Sequence, residues 1–186
     1  EEHEPFQEDR VRMILREFWG ITNTDELGET LADLLEEGGM SALYAQYAAE
    51  ESFESLAQDI DPEDASGAME RWLFARHFKD RVSVEQMRAW DIGRAAALVR
   101  WGHFVGLIDE GTAEAVLEAC AEEACERFGG WREFGISYLF GGLFWRLAAG
   151  EDAAAEWLDD AAGSCAELLS DEGEWRRHPW VQALTD

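Results

Sequence analysis

Apolar residues return at three- and four-residue intervals along every segment of this sequence longer than a turn, and no stretch alternates apolar and polar residues between turn signals. Such a pattern suits helices and not a sheet, because a strand sends successive side chains to opposite faces. The expected fold is all-α, a single-domain orthogonal bundle of about eight helices over residues 1–186. A chain of 186 residues is long enough to bury about seven tenths of its unfolded surface around one core.

Local signals divide the chain. Residues 6–19 form a first helix closed by Gly20, and Asn23 and Thr24 offer caps for a second that ends near Gly38 and Gly39. A third covers 40–58, with Leu43, Tyr47 and Phe53 among its apolar positions, and the acidic DIDPEDASG stretch breaks the pattern. After a fourth helix at 65–78, Ser83 with Gln86 three residues on is a capping-box signature that opens a fifth, which Gly106 stops. Helices at 112–128, 131–150 and 153–169 complete the set. The 131–150 segment is apolar on nearly all sides, which marks it as the central element. Trp175 and Trp180 are expected to dock the last segment onto the body, and no repeat or composition shift marks a second domain.

Within AWDIGRAAALVRWGHFVG, residues 89–106, the positions Trp90, Asp91, Arg94, Leu98, Trp101, Gly102 and Val105 fall within roughly 60° of one line on a helix. The opposite face holds Glu85, Ala89, Gly93, Ala96, Arg100 and His103, which are polar or small. Asp91 and Arg94 therefore sit on the apolar stripe. Two charges are tolerable there only if they pair and their remaining donors and acceptors find partners. A spacing of three permits the pair, and the planar guanidinium can still reach a second carboxylate or the carbonyls at a helix C-terminus. Two readings stay open: a buried organising pair, or the polar floor of a pocket lined by tryptophans.

AWDIGRAAALVRWGHFVGLID followed by WREFGISYLFGGLFW resembles the core of an uncharacterised bacterial family, domain of unknown function twelve-sixty-six. The resemblance rests on Trp90, Asp91, Arg94, Trp101, Gly102 and Gly106, then on Trp131, Phe134, Tyr138, Gly141 and Trp145; Trp19 resembles the tryptophan that opens that family's domain. It implies a helical fold and no reaction. It also implies a basic residue after Gly141, where this sequence has Gly142, and that departure argues against a strict catalytic constellation. The candidate pocket or buried-network residues are Trp90, Asp91, Arg94, Trp101, Trp131, Tyr138 and Trp145.

Other chemistry finds little support. His3, His77, His103 and His178 are scattered, and Cys120 and Cys125 lie roughly 140° apart around a helix, so neither a metal nor a cofactor is expected. Glu122, Glu123 and Glu126 make a solvated face. No phosphate loop, nucleophile elbow or two-histidine metalloprotease signature is present. The ladder Trp131, Phe134, Tyr138, Trp145 reads as core.

Fifteen Lys and Arg stand against 41 Asp and Glu, a formal charge of −26. A field of that sign disfavours nucleic acid and anionic membranes, which require clustered cations, and favours a basic protein partner. Solubility or salt adaptation accounts for the same charge equally well, since Lys79 is the only lysine. No apolar run reaches the roughly 18 residues a membrane span needs and no leader-like stretch follows Glu1; with three cysteines, an odd number, the expected location is cytoplasmic.

Two functions follow. The first is an acidic non-catalytic protein-interaction domain, most concretely an immunity or antitoxin-like protein that neutralises a basic bacterial toxin, with tryptophans as interface anchors. The second is an enzyme or small-ligand-binding protein whose Trp-lined pocket uses Asp91 as acid or base and Arg94 as an anion clamp. Exposure of Asp91 separates them: a carboxylate enclosed by the core gives substrate no access.

Overall fold

A computed structural model describes residues 5–58 and 60–180. His3 and the last six residues lie outside the described residues. Among the described residues there are ten α-helices and no strand: α1 (Pro5–Trp19), α2 (Thr24–Ala32), α3 (Gly39–Ala49), α4 (Phe53–Ala57), α5 (Ala65–Phe78), α6 (Arg88–Phe104), α7 (Glu110–Arg127), α8 (Trp131–Arg146), α9 (Glu151–Leu168) and α10 (Glu174–Arg177). A π-helical turn, Asp33–Glu37, ends α2; 3₁₀ turns at Val84–Met87 and Leu147–Ala149 open α6 and close α8. The fold is all-α, and no described helix is long and apolar enough to cross a membrane.

The local signals hold. The Asn23 side chain accepts the Glu26 N–H at 3.0 Å, while the Glu26 carboxylate accepts the Thr22 N–H at 2.7 Å. Ser83 and Gln86 form the reciprocal capping box. Gly20 and Gly106 adopt φ of 69° and 73°, the left-handed conformation that ends α1 and α6 at no side-chain cost. Asp109 caps α7 by accepting the Thr112 N–H at 2.8 Å, so that helix begins two residues before the expected 112.

Two expectations need correction. The helix expected over 40–58 is two, because the chain turns extended at Glu50 (ψ 129°) and Ser52 (ψ 147°). Donors from α5 stabilise the break: Trp72 Nε1 binds the Glu50 carbonyl at 3.2 Å and Arg76 the Glu51 carbonyl at 2.9 Å. The central element is α6 rather than the 131–150 helix. α6 lies against α1, α2, α3, α7 and α8 and buries Ala89, Trp90, Asp91, Ile92, Ala95, Leu98 and Val99, whereas Ile136 of α8 is exposed.

Two apolar clusters flank this hub. Leu15, Ile21, Leu27, Leu34, Leu98, Val99 and Phe128 form one, between α1, α2, α6 and α7. Tyr44, Tyr47, Leu56, Met87 and Phe144 form the other, in which both tyrosines meet the Phe144 ring edge-on. Gly141 lets α8 approach α6 closely, since a Cβ there would collide with the Trp90 side chain.

Candidate functional site

α6 carries Arg88, Asp91 and Arg94 at successive three-residue steps, and the first two clamp the junction between α2 and α3. Asp91 Oδ1 accepts the Met40 N–H at 2.9 Å and Oδ2 the Ser41 N–H at 3.0 Å, both from the first turn of α3. Arg88 donates to the carbonyls of Leu34 and Leu35 at 2.9 and 2.8 Å, in the π-helical turn that ends α2. The signs match the helix dipoles, an anion at an N-terminus and a cation at a C-terminus. Arg88 also pairs with Glu123 of α7, which binds Arg127 Nε at 3.0 Å, and Arg127 pairs with Glu85. Alternating charges thus run from the exposed Glu85 inward to Asp91, whose side chain is 0% exposed.

Arg94 follows a different rule from the other inward-reaching arginines. Arg12 binds the Val105 carbonyl at the end of α6; Arg71 binds those of Phe144 and Trp145 at the end of α8; Arg76 and Arg88 serve α3 and α2. Arg94 caps no helix. Among the described residues its one hydrogen-bonding partner is Asp91, at 2.5 Å from Nη2, and its Nε is buried with none. The guanidinium lies over the rings of Trp19 and Trp90, 5.6 and 5.5 Å from their centroids. Burial lowers its pKa and the Asp91 charge opposes that shift; a guanidinium remains protonated regardless.

Arg94 lines a cleft of about 470 Å³ between α1, α6 and α8, with Trp19, Trp90, Trp101, Tyr138 and Trp145 as its aromatic walls. The Trp90 ring meets Tyr138 at 4.8 Å, Trp145 at 5.6 Å and Trp157 edge-on at 5.6 Å, and its Nε1 is buried without a partner. Gly93 admits Tyr138, since a Cβ there would stand 2.6 Å from the ring. Burial raises the Tyr138 pKa, helped by Cys165 and opposed by Arg94, so the phenol keeps its proton. Trp145 and Phe18 are the exposed members of the lining.

Five of the seven candidate residues, Trp90, Arg94, Trp101, Tyr138 and Trp145, therefore share one cleft. Asp91 does not line it and belongs to the helix-capping network behind Arg94. Trp131 lines another cleft, where it stacks on Trp175 (5.1 Å, 8°) and meets Trp180 edge-on, docking the final segment as expected. Of the ladder expected as core, Phe134 and Tyr138 pack against the larger apolar cluster, while Trp131 and Trp145 border the two clefts and Trp145 is exposed. Sequence reasoning missed Arg88, although its spacing of three from Asp91 mirrors that of Arg94. It also missed Trp157, whose indole occupies the space a side chain at Gly142 would need. Burial, with Glu123 adding to it, pushes the Cys120 thiol up to about 11, which leaves it inert as a nucleophile.

The model of a family described as Protein of unknown function (DUF1266) matches residues 14–180. The chain belongs to this family. No curated protein and no solved structure matches it. In this DUF1266 member the residues that carried the resemblance divide by role. Gly106 shapes the backbone, Gly102 and Gly141 admit neighbouring elements, Asp91 braces the α2–α3 junction, and Trp19, Trp90, Arg94, Trp101, Tyr138 and Trp145 surround the cleft.

Proposed function

We propose that this chain is a non-catalytic recognition domain that holds a ligand in the aromatic cleft over Arg94. The observation that carries the reading is a guanidinium on the wall of an indole-lined cleft whose Nη1 is engaged by no described residue. Asp91 gives no support to acid–base chemistry, since the capping of α3 and the Arg94 pair occupy its carboxylate and the cleft does not reach it. A thermal-shift screen of small molecules tests the proposal: stabilisation of the wild-type chain that disappears in Trp145→Ala supports it, and the absence of any stabilising compound overturns it.

A second reading rests on the charge of −26 together with Phe6, Phe18 and Met13, exposed on α1. Here the acidic exterior receives a basic protein, as an immunity or antitoxin-like protein does with a bacterial toxin. Capture from the source cell at low salt, and its loss at high salt, is the expected signature. A cytoplasmic location, proposed from the free Cys120, Cys125 and Cys165, suits either reading.

A further inference from the structure

We infer that the cleft over Arg94 takes an organic anion: a carboxylate, or another oxyanion, carried on a flat apolar body. This rests on the recognition reading and names its ligand class.

Arg94 does not have the Asp91 carboxylate to itself. Asp91 divides its negative charge among Arg94, two N–H groups at the start of α3, and Arg88, whose Nη1 lies 3.9 Å away. Of the guanidinium's nitrogens Nη2 is engaged by Asp91 and Nε is sealed from the cleft, which leaves Nη1 as the donor without a hydrogen bond among the described residues. A cationic N–H donor with no partner of its own suits an oxyanion, since the hydrogen bond it makes there is charge-assisted. The protonated Tyr138 phenol, on the same cleft wall, adds a further donor.

Lining composition points the same way. A chain with 41 Asp and Glu places none of them in this cleft. The adjoining cleft, which shares Ile14, Ala97 and Trp101 with it, adds Arg10 and Arg100 and again no carboxylate. By contrast, the cleft beside α10 is lined by Glu167, Glu172 and Glu174. Arg94 in this cleft and Arg10 and Arg100 in the adjoining one thus meet an anion with no carboxylate among the lining residues to repel it.

The walls set the rest of the ligand. Aromatic rings commonly enclose a ligand's quaternary ammonium, but here the position over Trp19 and Trp90 is already filled by the Arg94 cation, so a second cation is repelled. Flat indoles favour a flat apolar body, and about 470 Å³ lies in the ordinary range for a small-ligand site.

Titration calorimetry with three probes of one shape decides the matter: 2-naphthoate, 2-naphthylmethanol and (2-naphthylmethyl)trimethylammonium. The anion is expected to bind at least about tenfold more tightly than the alcohol, the advantage of a charge-assisted hydrogen bond, with the ammonium weakest. Arg94→Met should erase the preference, Arg94→Lys should keep part of it, and Trp145→Ala should weaken anion and alcohol alike. Equal or tighter binding of the alcohol or ammonium sinks the anion inference while leaving the cleft a recognition site. Naphthoate binding that ignores both Arg94→Met and Trp145→Ala places the anion elsewhere and overturns it too. No binding by any probe removes the recognition reading itself. The wild-type series discriminates even if a variant fails to fold.

Discussion

Asp91 accepts the Ser41 backbone N–H at 3.0 Å, so one carboxylate of α6 caps a helix that begins some fifty positions earlier in the chain. Arg88, one turn before it, takes the carbonyls that end α2. Two charges on the hub helix thereby supply the side-chain cap that the start of α3 lacks and add to the left-handed Gly38, whose N–H binds the Asp33 carbonyl where the π-helical turn ends. The same logic recurs where Arg12, Arg71 and Arg76 reach across to helix C-termini. In an acidic chain with few cations, this concentrates positive charge where carbonyl dipoles would otherwise add to the negative field.

Asp91→Ala is expected to destabilise the chain by about 3 to 5 kcal/mol, because it strips two backbone donors of their acceptor and leaves Arg94 buried and unpaired. Urea denaturation measures the loss. A variant as stable as the wild type, with only ligand binding changed, would return Asp91 to the cleft.

Arg88 and Asp91 act on opposite sides of one junction and should not act independently. A double-mutant cycle with Arg88→Met and Asp91→Asn is expected to give a coupling of about 0.5 to 3 kcal/mol. Additive effects would mean that the α2 and α3 ends are held separately.

What the sequence made legible acts within one turn of helix. Asn23, the Ser83 and Gln86 pair, and Gly106 each fix a boundary through neighbours no more than four residues off, and the Asp91 and Arg94 contact follows from a spacing of three. The hydrogen bonds of Asp91 to Met40 and Ser41 left no trace, because backbone donors carry no residue signature. The break at Glu50 is equally silent, since its carbonyl is satisfied by Trp72. Apolarity alone points away from α6 as the hub, because what centres this helix is the smallness of its residues. Ala89, Gly93, Ala95 and Gly102 let its neighbours approach, with Leu27 against Gly102 and Tyr138 against Gly93.

Gly142 stands where the resemblance implies a basic residue, and Trp157 fills the space. Gly142→Arg should therefore lower the melting temperature, as overpacking of a filled site costs about 1 to 3 kcal/mol. Adding Trp157→Ala to that variant should recover part of the loss, although Trp157→Ala alone is destabilising. The absence of such a sign reversal would show that the indole and position 142 do not compete.

Cys120 provides a pH test. Burial raises its folded thiol to about 11, so the folded chain holds this proton more tightly than the unfolded chain does. Its contribution to stability is then complete below the unfolded thiol's pKa, about 8.5, and is lost as pH rises through about 11. Two measurements follow. Iodoacetamide at pH 8 should leave Cys120 unmodified in the folded chain and label it after denaturation. Replacement by Ala should flatten that part of the alkaline fall in melting temperature. Rapid labelling of the native thiol at pH 8 would place its sulfur in an open or electropositive setting, at odds with a side chain 3% exposed beside Glu123.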